Sequence, residues 1–252
     1  MALVTLLTAA APPAVAAPSG RFTDDDGSVH ESMIEAVAGA GVAAGCAPQR
    51  YCPTEVVSRA QMAAFLARAL DLPAATRDHF VDDAGSPHED AINRIAEAGI
   101  TSGRPDGTYG PGEPVLRGQM ATFLTAGFDL GPTDRDYFAD DNGTAHEDSS
   151  NRVARAGIAT GCAAGANAFC PFDPVRRDQL ASFLGRALGL EALPPGSTVL
   201  EGTGDAVPSF IKPEPGPAIA VVTYTGPGNF IVWERNAEGE RSDLLVNEIG
   251  DY

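Results

Sequence analysis

The sequence predicts a mainly α-helical protein, in which three helix–loop–helix copies pack on one another and a small β-sandwich-like domain follows. Two recurring motifs and one change of pattern predict it. Phe22, Phe80 and Phe138 stand 58 residues apart and open "FTDDDGSVHESMIEAVAGAGVAAG", "FVDDAGSPHEDAINRIAEAGITSG" and "FADDNGTAHEDSSNRVARAGIATG". Downstream of each lies a second motif, "VSRAQMAAFLARALDL", "VLRGQMATFLTAGFDL" and "VRRDQLASFLGRALGL". After the third copy, helical periodicity gives way to short runs of β-branched and aromatic residues.

Self-similarity at this period marks an array, and its copies span 21–76, 77–134 and 135–192. The first helix of each copy is predicted to open at Ser28, Ser86 or Thr144, with Glu31, Glu89 or Glu147 three residues later. That is the pattern of a capping box, where hydroxyl and carboxylate each satisfy an orphan backbone N–H. Apolar residues follow at helical spacing: Ile34, Val37 and Ala38, then Ile92, Ile95 and Ala96. Gly41, Gly99 and Gly157 stand where a left-handed C′ residue belongs. A Gly- and Pro-bearing loop leads to the second helix, whose stripe in the first copy is Met62, Phe65, Leu66, Ala69 and Leu70. Neither helix buries its stripe alone, so the copies must pack against each other.

Cys46 and Cys52 flank the loop of the first copy, and Cys162 and Cys170 the loop of the third. The second copy has Arg104 and Gly110 there, so both members are missing together. Paired presence and absence favours local disulfides, Cys46–Cys52 and Cys162–Cys170. Zinc would want four converging ligands, and no CxxC occurs. Disulfides imply an oxidising location.

Segment 193–206 breaks the periodicity and reads as a linker. Segment 207–252 holds "AIAVVTYTG", "NFIVWERN" and "DLLVNEIG", the runs of a β-strand-rich domain that ends abruptly, like the opening of a sandwich cut short. Trp233, the sole tryptophan, reads as part of its core.

Composition narrows the function. The net charge is −17, and only one of the seventeen basic residues is a lysine, Lys212. This balance argues against nucleic acid, which needs a basic footprint, and against adhesion to anionic lipid. Attraction to a polyanion has to come from local arginine pockets, because net charge acts no further than a Debye length of roughly 8 Å. Segment 1–20 resembles a signal peptide, with an apolar run and small residues at Ala14 and Ala16, although it lacks the basic n-region. No later stretch reaches the about 18–20 apolar residues of a membrane span. The expectation is therefore an exported protein with no membrane insertion.

The order Phe-x-Asp, a helix ending in Ala-Gly-Ile, Gly, a loop ending in Pro and an Arg-led helix resembles the S-layer homology (SLH) repeat. A "TRAE"-like motif opens that family's second helix; here it reads Ser58-Arg59-Ala60-Gln61, Leu116-Arg117-Gly118-Gln119 and Arg176-Arg177-Asp178-Gln179. The resemblance covers about 170 residues. It implies a pseudo-threefold spindle of helices holding an exported protein non-covalently on an anionic cell-wall polysaccharide, either a secondary polysaccharide or a peptidoglycan-linked polymer. The sequence departs from the family twice. Its frequent tryptophan at the first helix is replaced by Val29, Pro87 or Ala145, and the motif glutamate is glutamine in every copy.

Arg59, Arg117 and Arg177 are the sharpest candidates for ligand binding. An arginine at a helix N-terminus opposes the macrodipole, and a planar fork beside free N–H groups would suit a carboxylate or phosphate. Asp24, Asp82 and Asp140 join them as candidate polymer-binding residues; the alternative is a structural ion pair between each arginine and the aspartate of a neighbouring copy. Gln61, Gln119 and Gln179 read as capping residues, with Ser58 completing a box in the first copy. The "DDDGS", "DDAGS" and "DDNGT" stretches fit Asp/Gly turns better than calcium loops, because the bidentate Glu expected at position twelve is met only by Glu35. His30, His88 and His146 could share a zinc ion, but a hydrogen bond at each helix end is the simpler reading.

No nucleophile–base motif, HExxH or Gly-rich phosphate loop occurs, so no catalytic residue, cofactor or resident metal is expected. The favoured function is a non-enzymatic cell-wall anchor. A secreted interaction or matrix module that has lost polymer binding and the targeting part of an exported hydrolase are the alternatives.

Overall fold

Helices start where the two motifs recur. The computed structural model describes residues 20–162, 167–190 and 192, together with four strand segments beyond them. Six helices form three pairs: α1 (Glu31–Gly39) and α2 (Arg59–Ala69), α3 (Glu89–Glu97) and α4 (Arg117–Gly127), α5 (Glu147–Arg155) and α6 (Arg177–Ala187). The chain divides into two compact units, residues 1–196 and 197–252.

In the helical unit the closest helix packing lies between copies. The second helix of one copy packs on the first helix of the next, α2 on α3 and α4 on α5, and α6 closes the ring on α1. The predicted stripes supply the core: Ile34, Val37, Met62, Leu66, Ile92, Ile95, Met120, Leu124, Leu180 and Leu184 have no exposed surface. Each such side chain contributes roughly 1.5–3 kcal/mol by leaving water. Within each copy the leading phenylalanine tilts against a loop aromatic, Phe22 on Tyr51 and Phe80 on Tyr109 at 5.2 Å, and Phe138 on Phe169 at 5.0 Å.

The first-helix starts correct the sequence reading. Each helix begins at the glutamate rather than two residues earlier, and the side chain at the N-cap position, His30, His88 or His146, makes no cap bond. Ser28, Ser86 and Thr144 instead accept from the backbone N–H two residues on. The glutamate reaches past them to the N–H of Gly27, Gly85 or Gly143 at 2.6–2.9 Å. The hydroxyl makes a short Ser/Thr turn in place of a cap. The C-termini follow expectation. Gly41 has φ +70°, its N–H bonds to Ala38 and that of Val42 to Val37. This is the Schellman closure, which glycine adopts without a Cβ penalty; Gly99 and Gly157 repeat it.

Both disulfides form as read, Cys46–Cys52 and Cys162–Cys170. In the second copy Arg104 takes their place. Its guanidinium lies across Gly110, where an added Cβ would stand 2.8 Å from Arg104 Cζ, and pairs with Glu113.

The second unit contains β1 (Thr198–Leu200), β2 (Ala220–Val222), β3 (Phe230–Arg235) and β4 (Arg241–Glu248). β1 pairs with β2 in parallel and β3 with β4 antiparallel, as two separate ladders. The described strands therefore do not support a β-sandwich, and β1 falls inside the segment read as linker. The signal-peptide-like residues 1–19 and the core reading of the Trp233 side chain lie outside the described residues. Among the described residues no helix is long and apolar enough to cross a membrane.

Candidate functional site

Three buried valines set the geometry at the second-helix starts. Val57 N–H donates to the Val175 carbonyl, Val175 to Val115 and Val115 to Val57, each at 2.9 Å, a closed ring of backbone bonds through all three copies. The next residues, Ser58, Leu116 and Arg176, stay extended with ψ near 160° before the helix turns. The first two helical N–H groups then find carbonyls on another copy. Arg59 and Ala60 donate to Glu113 and Pro111, Arg117 and Gly118 to Asp173 and Pro171, and Arg177 and Asp178 to Glu55 and Pro53. These orphan donors are thus occupied, and the reading of free N–H groups beside the arginines is corrected.

Gln61, Gln119 and Gln179 each accept from the backbone N–H three residues earlier, at 3.0–3.2 Å. Only the first copy completes the box, with Ser58 Oγ accepting from Gln61 N–H at 3.2 Å.

Each arginine side chain enters the neighbouring copy's loop. Arg59 Nε donates to the Tyr109 carbonyl, Arg117 Nε to Phe169 and Arg177 Nε to Tyr51, all at 2.8 Å. Arg117 and Arg177 add a bond from Nη2 to Gly161 and Ala44. Each guanidinium is held between two rings: Arg59 between Tyr109 and Phe123, Arg117 between Phe169 and Phe183, Arg177 between Tyr51 and Phe65, with Cζ 4.6–5.5 Å from the centroids. The three residues are only 8%, 4% and 5% exposed. Burial pushes the Arg59 and Arg117 guanidiniums below their usual pKa, although both stay charged.

Asp24, Asp82 and Asp140 do not pair with these arginines. Each carboxylate clamps two successive loop N–H groups of its own copy: Tyr51 and Cys52, Tyr109 and Gly110, Phe169 and Cys170, at 2.6–3.0 Å. Burial acts to raise the Asp24 and Asp82 carboxyls, but the loop N–H bonds outweigh it and hold both below the usual range. The aspartates therefore shape the arginine pockets from behind. Among the described residues no carboxylate lies within 4 Å of the three guanidiniums. The result is three arginine-centred inter-copy contacts, each with its charge stacked and hydrogen-bonded but not neutralised by an ion pair among the described residues.

The histidines separate to three different interfaces. His30 Nδ1 meets Ser182 Oγ at 2.8 Å and His146 Nδ1 meets Thr122 Oγ1 at 2.9 Å, while the residue of the first copy that matches Ser182 and Thr122 is Ala64, which offers no hydroxyl. Among the described residues no cluster of three or more His, Cys, Asp or Glu side chains could hold a metal ion. Sequence reasoning missed Tyr51, Tyr109 and Phe169, the pocket aromatics, and the exposed Phe172. Aligning the copies residue by residue would have found them, because Tyr51, Tyr109 and Phe169 match, as do Thr54, Gly112 and Phe172.

A ring of helix pairs joined through inter-copy arginine contacts is a repeat-built module. Residues 79–121, which hold α3 and the start of α4, match the S-layer homology domain. The chain is also 32% identical over 149 residues to an S-layer protein of Bacillus licheniformis, covering 58% of this chain and 17% of that protein. It is 32% identical over 135 residues to the surface-layer 125 kDa protein of Lysinibacillus sphaericus, 53% of this chain and 11% of the relative. An endoglucanase of Bacillus sp. (strain KSM-635) is 32% identical over 88 residues, 35% of this chain and 9% of the relative. The chain spans less than a fifth of the length of these relatives. The chain thus carries a segment matching the S-layer homology domain and is similar to surface-layer proteins, which indicates association with the cell surface or cell wall.

Proposed function

We propose that the helical unit is a non-enzymatic anchor of three SLH repeats, at 21–76, 77–134 and 135–192, that holds an exported protein on an anionic cell-wall polysaccharide. One observation carries this reading: three guanidiniums, symmetry-related and fixed between aromatic rings, lack a carboxylate partner among the described residues. Arg59, Arg117 and Arg177 receive carboxylate or phosphate groups of the polymer through the guanidinium N–H groups that the Tyr109, Phe169, Gly161, Tyr51 and Ala44 carbonyls leave unbonded. Asp24, Asp82 and Asp140 hold the loops against which those groups lie. Individually weak sites become firm when one chain of polymer spans several of them.

The test is co-sedimentation of the protein with purified cell walls, with and without removal of their anionic polysaccharide by acid. Retention on intact walls, loss on stripped walls and weakening by salt are expected. Single Arg→Lys variants, which keep the charge and lose the fork, should bind about tenfold more weakly while remaining folded by circular dichroism. Equal retention on both kinds of wall would overturn the reading.

A further inference from the structure

Each copy buries one carboxyl group without a partner. Asp25, Asp83 and Asp141 directly follow the loop-clamping Asp24, Asp82 and Asp140, and they are 1%, 0% and 0% exposed. Among the described residues neither oxygen of any of the three has a hydrogen-bond partner. An unpaired charge is so costly in a protein interior that such a group gives up its charge instead. The copies diverge at the next position, Asp26, Ala84 or Asn142, yet each keeps the buried acid. The charged groups facing these carboxyls are themselves acidic: Glu35, Glu31 and Asp24 at Asp25, Asp78, Glu89 and Asp82 at Asp83, Asp140 and Asp136 at Asp141. Arg21 lies beside Glu35, which accepts from its backbone N–H at 2.8 Å. Burial first, and these like charges after it, push all three carboxyls above the usual range, Asp25 to about 7. At Asp141 the Ser150 hydroxyl works against the rise, but it donates to the His146 carbonyl at 3.0 Å.

Two contacts connect these acids to the joints between copies. The residue before each one clamps the N–H of Tyr51, Tyr109 or Phe169, whose carbonyls receive Arg177, Arg59 and Arg117. In the first two copies the charge also reaches the loop tyrosine. Burial, with Asp25 or Asp83 adding to it, pushes the Tyr51 and Tyr109 phenols up. Those phenols donate to the backbone carbonyls of Arg177 and Arg59 at 3.1 and 2.8 Å.

We propose that Asp25, Asp83 and Asp141 form a three-site proton switch: protonated, they let each loop hold the neighbouring copy's arginine, and ionised, they displace the loops and loosen the ring. The switch goes beyond the anchoring role and acts whatever the unit binds. A carboxyl whose folded pKa lies above its unfolded one makes the closed ring bind protons more tightly than the open chain. Its contribution is complete below the ordinary 3.8, falls as pH rises and levels off above the folded pKa, near pH 7 for Asp25. Asp24 and Asp82, held below the usual range, act in the opposite sense and only at more acidic pH.

Carbon-13 NMR of the full chain labelled at its aspartates tests the switch. Three Cγ resonances are expected to titrate above pH 5, and Asp25→Asn, Asp83→Asn and Asp141→Asn should each remove one. Amide hydrogen exchange reads the coupling. Between pH 5 and pH 8 the protection of the Arg177, Arg59 and Arg117 N–H groups, corrected for the intrinsic rate, should fall about tenfold, the equivalent of one pKa unit. Each Asp→Asn variant should abolish the fall at its own joint alone: Asp25 at Arg177, Asp83 at Arg59 and Asp141 at Arg117. Titration of every aspartate below pH 5 would overturn the switch. So would a shift of the three resonances on adding calcium chloride at pH 8, which would make these acids cation ligands. Protection at the three arginines that does not change with pH would also overturn it, leaving buried acids that govern no joint.

Discussion

The first and second helices of each copy begin by opposite strategies. At α1, α3 and α5 the backbone N–H groups just ahead of the helix are satisfied locally: a hydroxyl accepts from two residues on and a glutamate reaches back four residues to a glycine. At α2, α4 and α6 the first two N–H groups and the arginine side chain all bond to another copy. A helix start satisfied locally can form as soon as its own segment is ordered. One satisfied by a distant loop leaves polar groups unpaired until that loop arrives, and such groups are costly when buried. The second helices therefore couple helix formation to closure of the ring, and the six helices of the unit should melt together.

The largest effect that would break this comparison is at Arg177. Removing its side chain in Arg177→Ala takes donors from the Tyr51 and Ala44 carbonyls and empties the space between Tyr51 and Phe65. A loss of about 3 kcal/mol in urea unfolding is expected, against about 0.5–1 kcal/mol for Glu89→Ala at a locally capped start. Equal losses would mean that the remote contacts add nothing beyond an ordinary cap.

Disulfide removal comes next. Cys46→Ser with Cys52→Ser should cost roughly 2–3 kcal/mol through the loop that presents Tyr51 to Arg177. The reciprocal pair Arg104→Cys and Gly110→Cys should oxidise spontaneously, as thiol titration would show, because Cys52 and Cys170 already hold φ near +58° and Gly110 holds +74°. Free thiols in that variant would show that Arg104 marks a loop of different shape.

Ser58→Ala should cost about 1 kcal/mol by thermal unfolding, since it removes the hydroxyl half of the capping box that only the first copy possesses. No measurable change would place even this start under the control of the remote contacts.

The smallest effect depends on pH. Glu35 stands where the other copies have Asn93 and Asn151, and all three side chains accept from the backbone ahead of the leading phenylalanine. Its carboxylate neighbours buried Asp25, whose pKa is raised, by burial first and by Glu35 second, to about 7. A carboxyl with a raised folded pKa binds its proton more tightly in the folded state. Its cost is absent well below the ordinary 3.8 and grows as pH rises towards 7. Glu35→Gln keeps the accepting oxygen and removes the charge, so it should raise the melting temperature at pH 8 and leave it unchanged at pH 3. A gain of the same size at both values would rule out the charge explanation.

Much of the helical unit was legible in the residues. The copies, the helix stripes, the C′ glycines and the disulfides all follow from spacing and from paired presence or absence. The capping box at Ser28 was misplaced because a Ser/Thr turn and a cap share the same residue types, and only the backbone path distinguishes them. At the candidate site the arginines were visible as residues that oppose the helix dipole. Their partners were not, since the Tyr51, Tyr109 and Phe169 carbonyls belong to other copies and carry no side-chain signature. Asp24, Asp82 and Asp140 looked like partners for the arginines because opposite charges attract, yet two loop N–H groups in the same copy hold each carboxylate more closely.

Local chemistry written in the chain was enough to determine the helices, the C-terminal ends of the first helices and the cross-linked loops, because glycine conformations, cysteine pairs and apolar stripes act within a few residues. Which copy each arginine enters, which rings enclose it and which N–H groups stay available were decided only by closure of the ring. Those choices join residues fifty or more positions apart, and spacing along a chain carries no record of such meetings.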